Sequence, residues 1–196
     1  MKWNRVVILI IDIIDRVIET TVLNSRMKYP DSYVVCKHAP GDESSLDNYE
    51  VANKKCLSES LDIYSKLIIV AHGKPYRCGS YSASRLAIYL KYLGVKNVGL
   101  ISFKSCHIGV GNFLEEFEAE CRRMFIFIGW CLGYKGSMTP FRGHLVIDEF
   151  PLDKLLRYSS CDLLKLPDSS RIKVIRGAAI IPNCFRIGLG RRFPQK

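Results

Sequence analysis

The sequence predicts an α/β protein with a mostly parallel central sheet flanked by helices. Short apolar runs recur at residues 6–11, 67–71 and 98–103, too short to span a membrane and too apolar for strands with one wet face. Segments 82–92 and 112–123 carry helical periodicity and alternate with the later runs. Strand, helix, strand, helix in that order calls for right-handed crossovers and parallel neighbours.

Residues 6–11 form the first strand. The basic start "MKWNR" before an apolar run suits a signal peptide, but Asp12 and Asp15 cut the run short and no small-residue cleavage site follows. A helix is expected from 12 to about 25, where Ile13, Val17 and Ile18 recur near helical spacing. "YVVCK" (33–37) is a second strand, and 38–56, rich in turn formers, a surface excursion. Residues 66–71 form a third strand covered on both faces. In 82–92, Ser82 is placed to cap, Leu86, Ala87, Ile88 and Leu90 form the buried side, and Gly94 ends the helix. A strand at 98–103 precedes a helix at 112–123 with Phe113, Leu114 and Phe117 inward and its glutamates outward. "MFIFIGWCLGY" and "RGHLVIDEF" read as strands joined by the glycine-rich "GYKGSMTPFRG", a C-terminal β-hairpin extending the sheet. "RIKVIRGAAIIP" is a basic, aliphatic strand candidate. The expectation is one domain over 1–196, of which 151–196 is the basic C-terminal part.

With 29 Lys and Arg against 19 Asp and Glu, the formal charge is +10, which favours an anionic partner. Nucleic acid would rest on charge alone, since no helix-turn-helix, RNP-like motif or P-loop is present. Eight cysteines without a CxxC motif, most of them in apolar runs, read as reduced thiols in a cytoplasmic setting. Only Cys106 and His107 are close enough in sequence to suggest metal spacing, so no metal is expected.

His72 and Cys106 each follow an apolar strand, with one crossover of chain between them, and ligand sites in open α/β sheets form at such carboxyl ends. An imidazole that can take a thiol proton makes a competent nucleophile. Gly73 permits a sharp turn, and its N–H with that of Cys106 would hold an oxyanion. Asp12, at the end of the first strand, is the acid placed to orient His72, with Asp15 behind it. His107 reads as a loop residue beside the site, and Cys36, Cys131 and His144 as structural.

"LIIVAHG", "GSYSASRLAIYLKYL" and "VGLISFKSCHIG", in that order, resemble the caspase-like cysteine peptidases of clan CD. The nearest likeness is to the autoprotease domains of MARTX and large clostridial toxins, which inositol hexakisphosphate activates. "YPDSYVVCKHAPGD" resembles the segment before that family's second strand, so the likeness covers roughly 5–150. It implies a caspase-like fold, a His72–Cys106 dyad, Asp12 as orienting acid, residues 126–147 as a flap beside the substrate, and cleavage after leucine. "FIGWCLGY" would supply the apolar walls for that residue. Ala71 and Ser105 stand where the family has glycines. Since the chain opens on the domain itself, the expectation is a stand-alone, monomeric effector or toxin-like protease, secreted by a bacterium and cutting host proteins in the cytosol.

Arg171, Lys173 and Arg176 nearly alternate along "RIKVIR", and Arg186, Arg191 and Arg192 follow. Such a cluster suits either a solvated basic surface or a cradle for a phosphorylated small molecule. The resemblance implies that the ligand is inositol hexakisphosphate, acting as an allosteric activator. Two other classes compete with the peptidase: a catalytically silent module binding phosphorylated ligands or nucleic acid, and a serine hydrolase, for which "GYKGSM" and "CGSYS" lack the GxSxG elbow.

Overall fold

In the computed structural model, which describes residues 3–42, 44–141, 144–148 and 172–179, the apolar runs become neighbouring strands. β1 (Arg5–Ile10) leads through α1 (Arg16–Lys28) to β2 (Tyr33–Cys36) and then β3 (Tyr49–Val51). β4 (Ser65–Val70) is followed by a small hairpin, β5 (Gly73–Lys74) and β6 (Arg77–Cys78), then by α2 (Ala83–Tyr92) and β7 (Asn97–Lys104). α3 (Phe113–Arg123), β8 (Phe127–Tyr134), β9 (Ser137–Phe141), β10 (His144–Asp148) and β11 (Ile172–Arg176) complete the described chain. The seven-stranded sheet has the order β11-β8-β7-β4-β1-β2-β3, and β11 alone runs antiparallel to its neighbour.

Alternation along the strands divides the core between two faces. Val7, Leu9 and Ile11 pack with α2 and α3, whereas Val6, Ile8 and Ile10 pack with Ile18 and Val22 of α1. Phe103 meets Phe113 and Phe117 edge-on at ring-centroid distances of 5.7 and 5.2 Å, which seats α3 on the sheet. Ser82 caps α2 by accepting from the Arg85 amide, and Gly94, at φ +87°, takes the left-handed turn after it.

Several expectations change. α1 begins at Arg16 and buries Ile18, Thr21, Val22 and Ser25, leaving Ile13 and Val17 exposed. Thr21 and Ser25 donate their hydroxyls to Val17 and Thr21 carbonyls one turn back, so this buried face is half polar and its apolar periodicity is weak. Ile88 is exposed, because the face of α2 set by Ala83, Leu86, Ala87 and Leu90 turns it outward. The excursion 38–56 contains β3, an edge strand whose three residues are all exposed and give no burial pattern. The expected hairpin is rearranged: β8 is an interior strand parallel to β7, β11 takes the edge beside it, and β9 pairs with β10 in a separate ribbon. β8 therefore buries Ile128, Trp130 and Cys131 in the core and cannot offer them as pocket walls. Among the described residues, no helix is long and apolar enough to cross a membrane.

Candidate active site

The strand order reverses between β1 and β4: β2 and β3 lie to one side, β7 and β8 to the other. A crevice opens at the carboxyl ends of such a pair. Asp12 and Asp15 follow β1, His72 follows β4, and Cys106 follows β7, so three adjacent strand ends deliver both acids, the imidazole and the thiol.

Gly73 sits directly against the backbone of Cys106. A Cβ built on Gly73 would lie 2.2 Å from the Cys106 carbonyl oxygen and 2.6 Å from its nitrogen. Only glycine permits this approach. The β5–β6 hairpin starts here, and the Gly79 amide donates to the His72 carbonyl at 2.7 Å. Bonded pairs alternate in an antiparallel ladder, so the next pair, Gly73 with Cys78, leaves the Gly73 amide out of it.

The two acids divide the work differently from expectation. Asp12 Oδ2 accepts the backbone N–H of His72 at 3.2 Å and Oδ1 accepts the Ile13 amide, so Asp12 fixes the main chain and not the ring. Asp15 holds the imidazole, with His72 Nε2 2.8 Å from its Oδ2. Its other oxygen, Oδ1, caps α1 by accepting the Val17 and Ile18 amides at 3.0 and 2.9 Å. Capping thus fixes the carboxylate that orients the histidine. Burial alone would raise the Asp15 carboxyl, but the Ile18 amide, the His72 ring and the Val17 amide together hold it below its ordinary value of 3.8. An ionised carboxylate only accepts, so Nε2 carries the proton, and in the neutral ring Nδ1 keeps the lone pair.

Asparagine caps a helix as well as aspartate does, but it carries no charge. Asp15→Asn is therefore expected to keep α1 and to lower turnover by roughly 10- to 100-fold, less than for a fully buried triad acid because this pair is half exposed. A depressed folded-state pKa stabilises above the unfolded value and is lost as pH falls through the folded one. The thermal advantage of wild type over Asp15→Asn should be full above about pH 4 and be lost progressively as pH falls below it. An advantage constant from pH 7 to pH 2 would contradict the pairing.

The six described cysteines are all outside disulfides, and burial distinguishes them. Burial pushes the Cys36 thiol up to about 11 and Cys78 up to about 12, and raises Cys121 and Cys131 as well. Buried Cys36 and Cys131 accordingly read as packing. Cys106 is partly exposed, and its backbone packs against Gly73, the residue after His72. Ser105 is accommodated at the bend: it is buried, and its Oγ lies 3.2 Å from Cys78 Sγ. The left-handed residue is instead His107, at φ +56°.

Of the expected phosphate ligands, Arg171, Arg186, Arg191 and Arg192 lie outside the described residues. Lys173 donates to the Gly111 carbonyl at 2.7 Å and pairs with Glu115 at 2.5 Å, so its charge is engaged. Arg176 is exposed on the other face of β11, three positions along a strand. These two do not form one cradle. A different basic group stands on the α1 face. Lys66 in β4 and Lys104 at the end of β7 share that face, since Lys66 pairs with Leu100, four positions before Lys104. Lys66 donates to Tyr29 Oη at 2.9 Å and Lys104 to Tyr134 Oη. Burial, with Lys104 and Lys28 nearby, lowers Lys66 to about 7, and burial with Lys28 nearby lowers Lys104 to about 8. The sequence signal was present: a lysine in each of two mostly apolar strands.

No family model, curated protein or solved structure matches this chain.

Proposed function

We propose that the protein is a cysteine-type endopeptidase of caspase-like type, carried by the packing of Gly73 on Cys106 together with the Asp15-held imidazole of His72. His72 Nδ1 takes the Cys106 proton, the thiolate attacks the scissile carbonyl, and the Gly73 and Cys106 amides receive the oxyanion. The imidazolium then protonates the leaving amine, and water, deprotonated by the same ring, releases the acyl group. Exposed Ile13, Tyr76 and Val110 stand on the three segments that frame this cleft and favour an apolar residue beside the cut bond. The resemblance makes leucine the first choice and a protein of the host cytosol the substrate. A leucyl electrophilic peptide should label Cys106 alone among eight cysteines. Equal labelling of Cys56, or preference for an aspartyl or arginyl probe, would contradict the reading.

Inositol hexakisphosphate is the proposed activator, and the α1 face supports a place for it. Lys66 and Lys104 bear partly buried amines whose described electrostatic neighbours are lysines and tyrosines, an arrangement that a polyanion would relieve. The same face would serve a catalytically silent binding module, which the Cys106 labelling distinguishes. Because these amines hold fewer protons folded than unfolded between about pH 7 and pH 10, the ligand-free protein should gain stability as pH rises through that window. A bound polyanion restores the protons, so its stabilising effect should fall over the same range. Millimolar inositol hexakisphosphate should raise Tm at pH 7, and Lys66→Met with Lys104→Met should remove the shift. An unchanged shift in the double variant would place the ligand elsewhere.

A further inference from the structure

The structure assigns to His107 and Lys173 the role of positioning residues for Cys106, fastening the loop 106–111 to the β8–β9 turn and to β11; this rests on the peptidase reading. The loop that carries the nucleophile has no regular secondary structure. What holds it comes from chain far downstream.

At its start, the His107 amide donates to the Gly136 carbonyl at 3.0 Å. The ring spans the turn: Nδ1 is 3.3 Å from the Lys135 carbonyl and Nε2 2.9 Å from Ser137 Oγ. A carbonyl only accepts, so Nδ1 carries the proton and Nε2 accepts from the serine hydroxyl. In its middle, the Gly109 amide donates to the Tyr134 carbonyl at 2.7 Å, and a Cβ on Gly109 would meet the Gly133 carbonyl oxygen at 2.6 Å. At its end, Lys173 bridges the Gly111 carbonyl and Glu115, the third residue of α3.

His107 occupies a left-handed conformation that glycine adopts without strain. Backbone preference therefore argues against a histidine here, and what the side chain contributes is its two bonds to the turn. Those bonds lie one residue from Cys106, whose backbone is packed on Gly73. Loosening them leaves the dyad intact in composition and lets the thiol and its amide drift from the attack geometry. Misplacement of that kind costs turnover more than binding.

The variants separate positioning from folding. His107→Gly relieves the backbone strain and keeps the amide bond to Gly136, so its Tm should equal or exceed that of wild type. Its kcat should fall about 10- to 100-fold with KM within about twofold. His107→Asn tolerates the same conformation and offers an amide N–H toward Lys135 without reaching Ser137, so it should be intermediate. Lys173→Met keeps the aliphatic stem and removes the ammonium, and should lose turnover in the same way. Two readouts need no substrate: amide hydrogen exchange at Gly109 and Val110, and iodoacetamide alkylation of Cys106. Exchange should accelerate in all three variants and the alkylation rate should change. A wild type that cleaves no peptide would overturn the peptidase reading, and exchange and alkylation would still decide the positioning role. Wild-type exchange and alkylation in all three variants would overturn it, as would a lowered Tm in His107→Gly with no recovery of kcat in His107→Asn.

Discussion

Cys106→Ala and His72→Ala are each expected to lower peptide-bond hydrolysis by on the order of 10⁴-fold or more, because a nucleophile and its base act as a unit and either loss removes the covalent route. Both side chains stand at strand ends, the cysteine partly exposed and the histidine half exposed, so neither variant opens a cavity in the core. Their thermal midpoints should stay within a few degrees of wild type. The double variant should be no slower than the worse single one, since little catalysis by the dyad remains to lose. The measurement is cleavage of a leucyl peptide with active-site titration of the wild type. Activity retained in Cys106→Ala would end the cysteine-peptidase reading.

Gly73→Ala should damage stability and turnover together. Its Cβ would stand 2.2 Å from the Cys106 carbonyl oxygen and 2.8 Å from Ser105 Cβ, contacts no side-chain rotation relieves. The ends of β4 and β7 must separate, and overpacking of this kind costs roughly 1–3 kcal/mol. For a chain of this length that lowers Tm by about 2–12 °C. Because the strain falls on Cys106 itself, turnover should drop roughly 100-fold or more even at temperatures where the variant is folded. Gly41→Ala, where an added Cβ meets nothing within 4 Å, is the control and should change neither property. A Gly73→Ala protein with wild-type activity would mean that His72 and Cys106 are not held together as described.

The strands were legible because burial on both faces requires continuous apolar residues, and β1, β4 and β7 have them. So were α2 and α3, whose apolar faces repeat at helical spacing, with Ser82 capping α2. Exposed β3 was not, since its three residues bury nothing. The buried face of α1 escapes an apolar pattern because Thr21 and Ser25 satisfy their hydroxyls within the helix and then belong to the interior. The ribbon β9–β10 does not extend the sheet as the glycine-rich turn suggests; instead β11, beyond a long intervening segment, takes that edge. Apolar pattern identifies a strand but does not name its neighbour.

The sequence by itself determined that His72 and Cys106 follow strands one crossover apart, and right-handed crossovers then bring the two strand ends together. Tertiary structure alone decided that Asp15, and not Asp12, holds the imidazole, that Lys173 bonds the Gly111 carbonyl, and that Lys66 and Lys104 share one face. The physical reason is range. Burial is written into the local period of the chain, whereas a hydrogen bond depends on ångström-scale placement of groups from segments that only the complete fold makes neighbours.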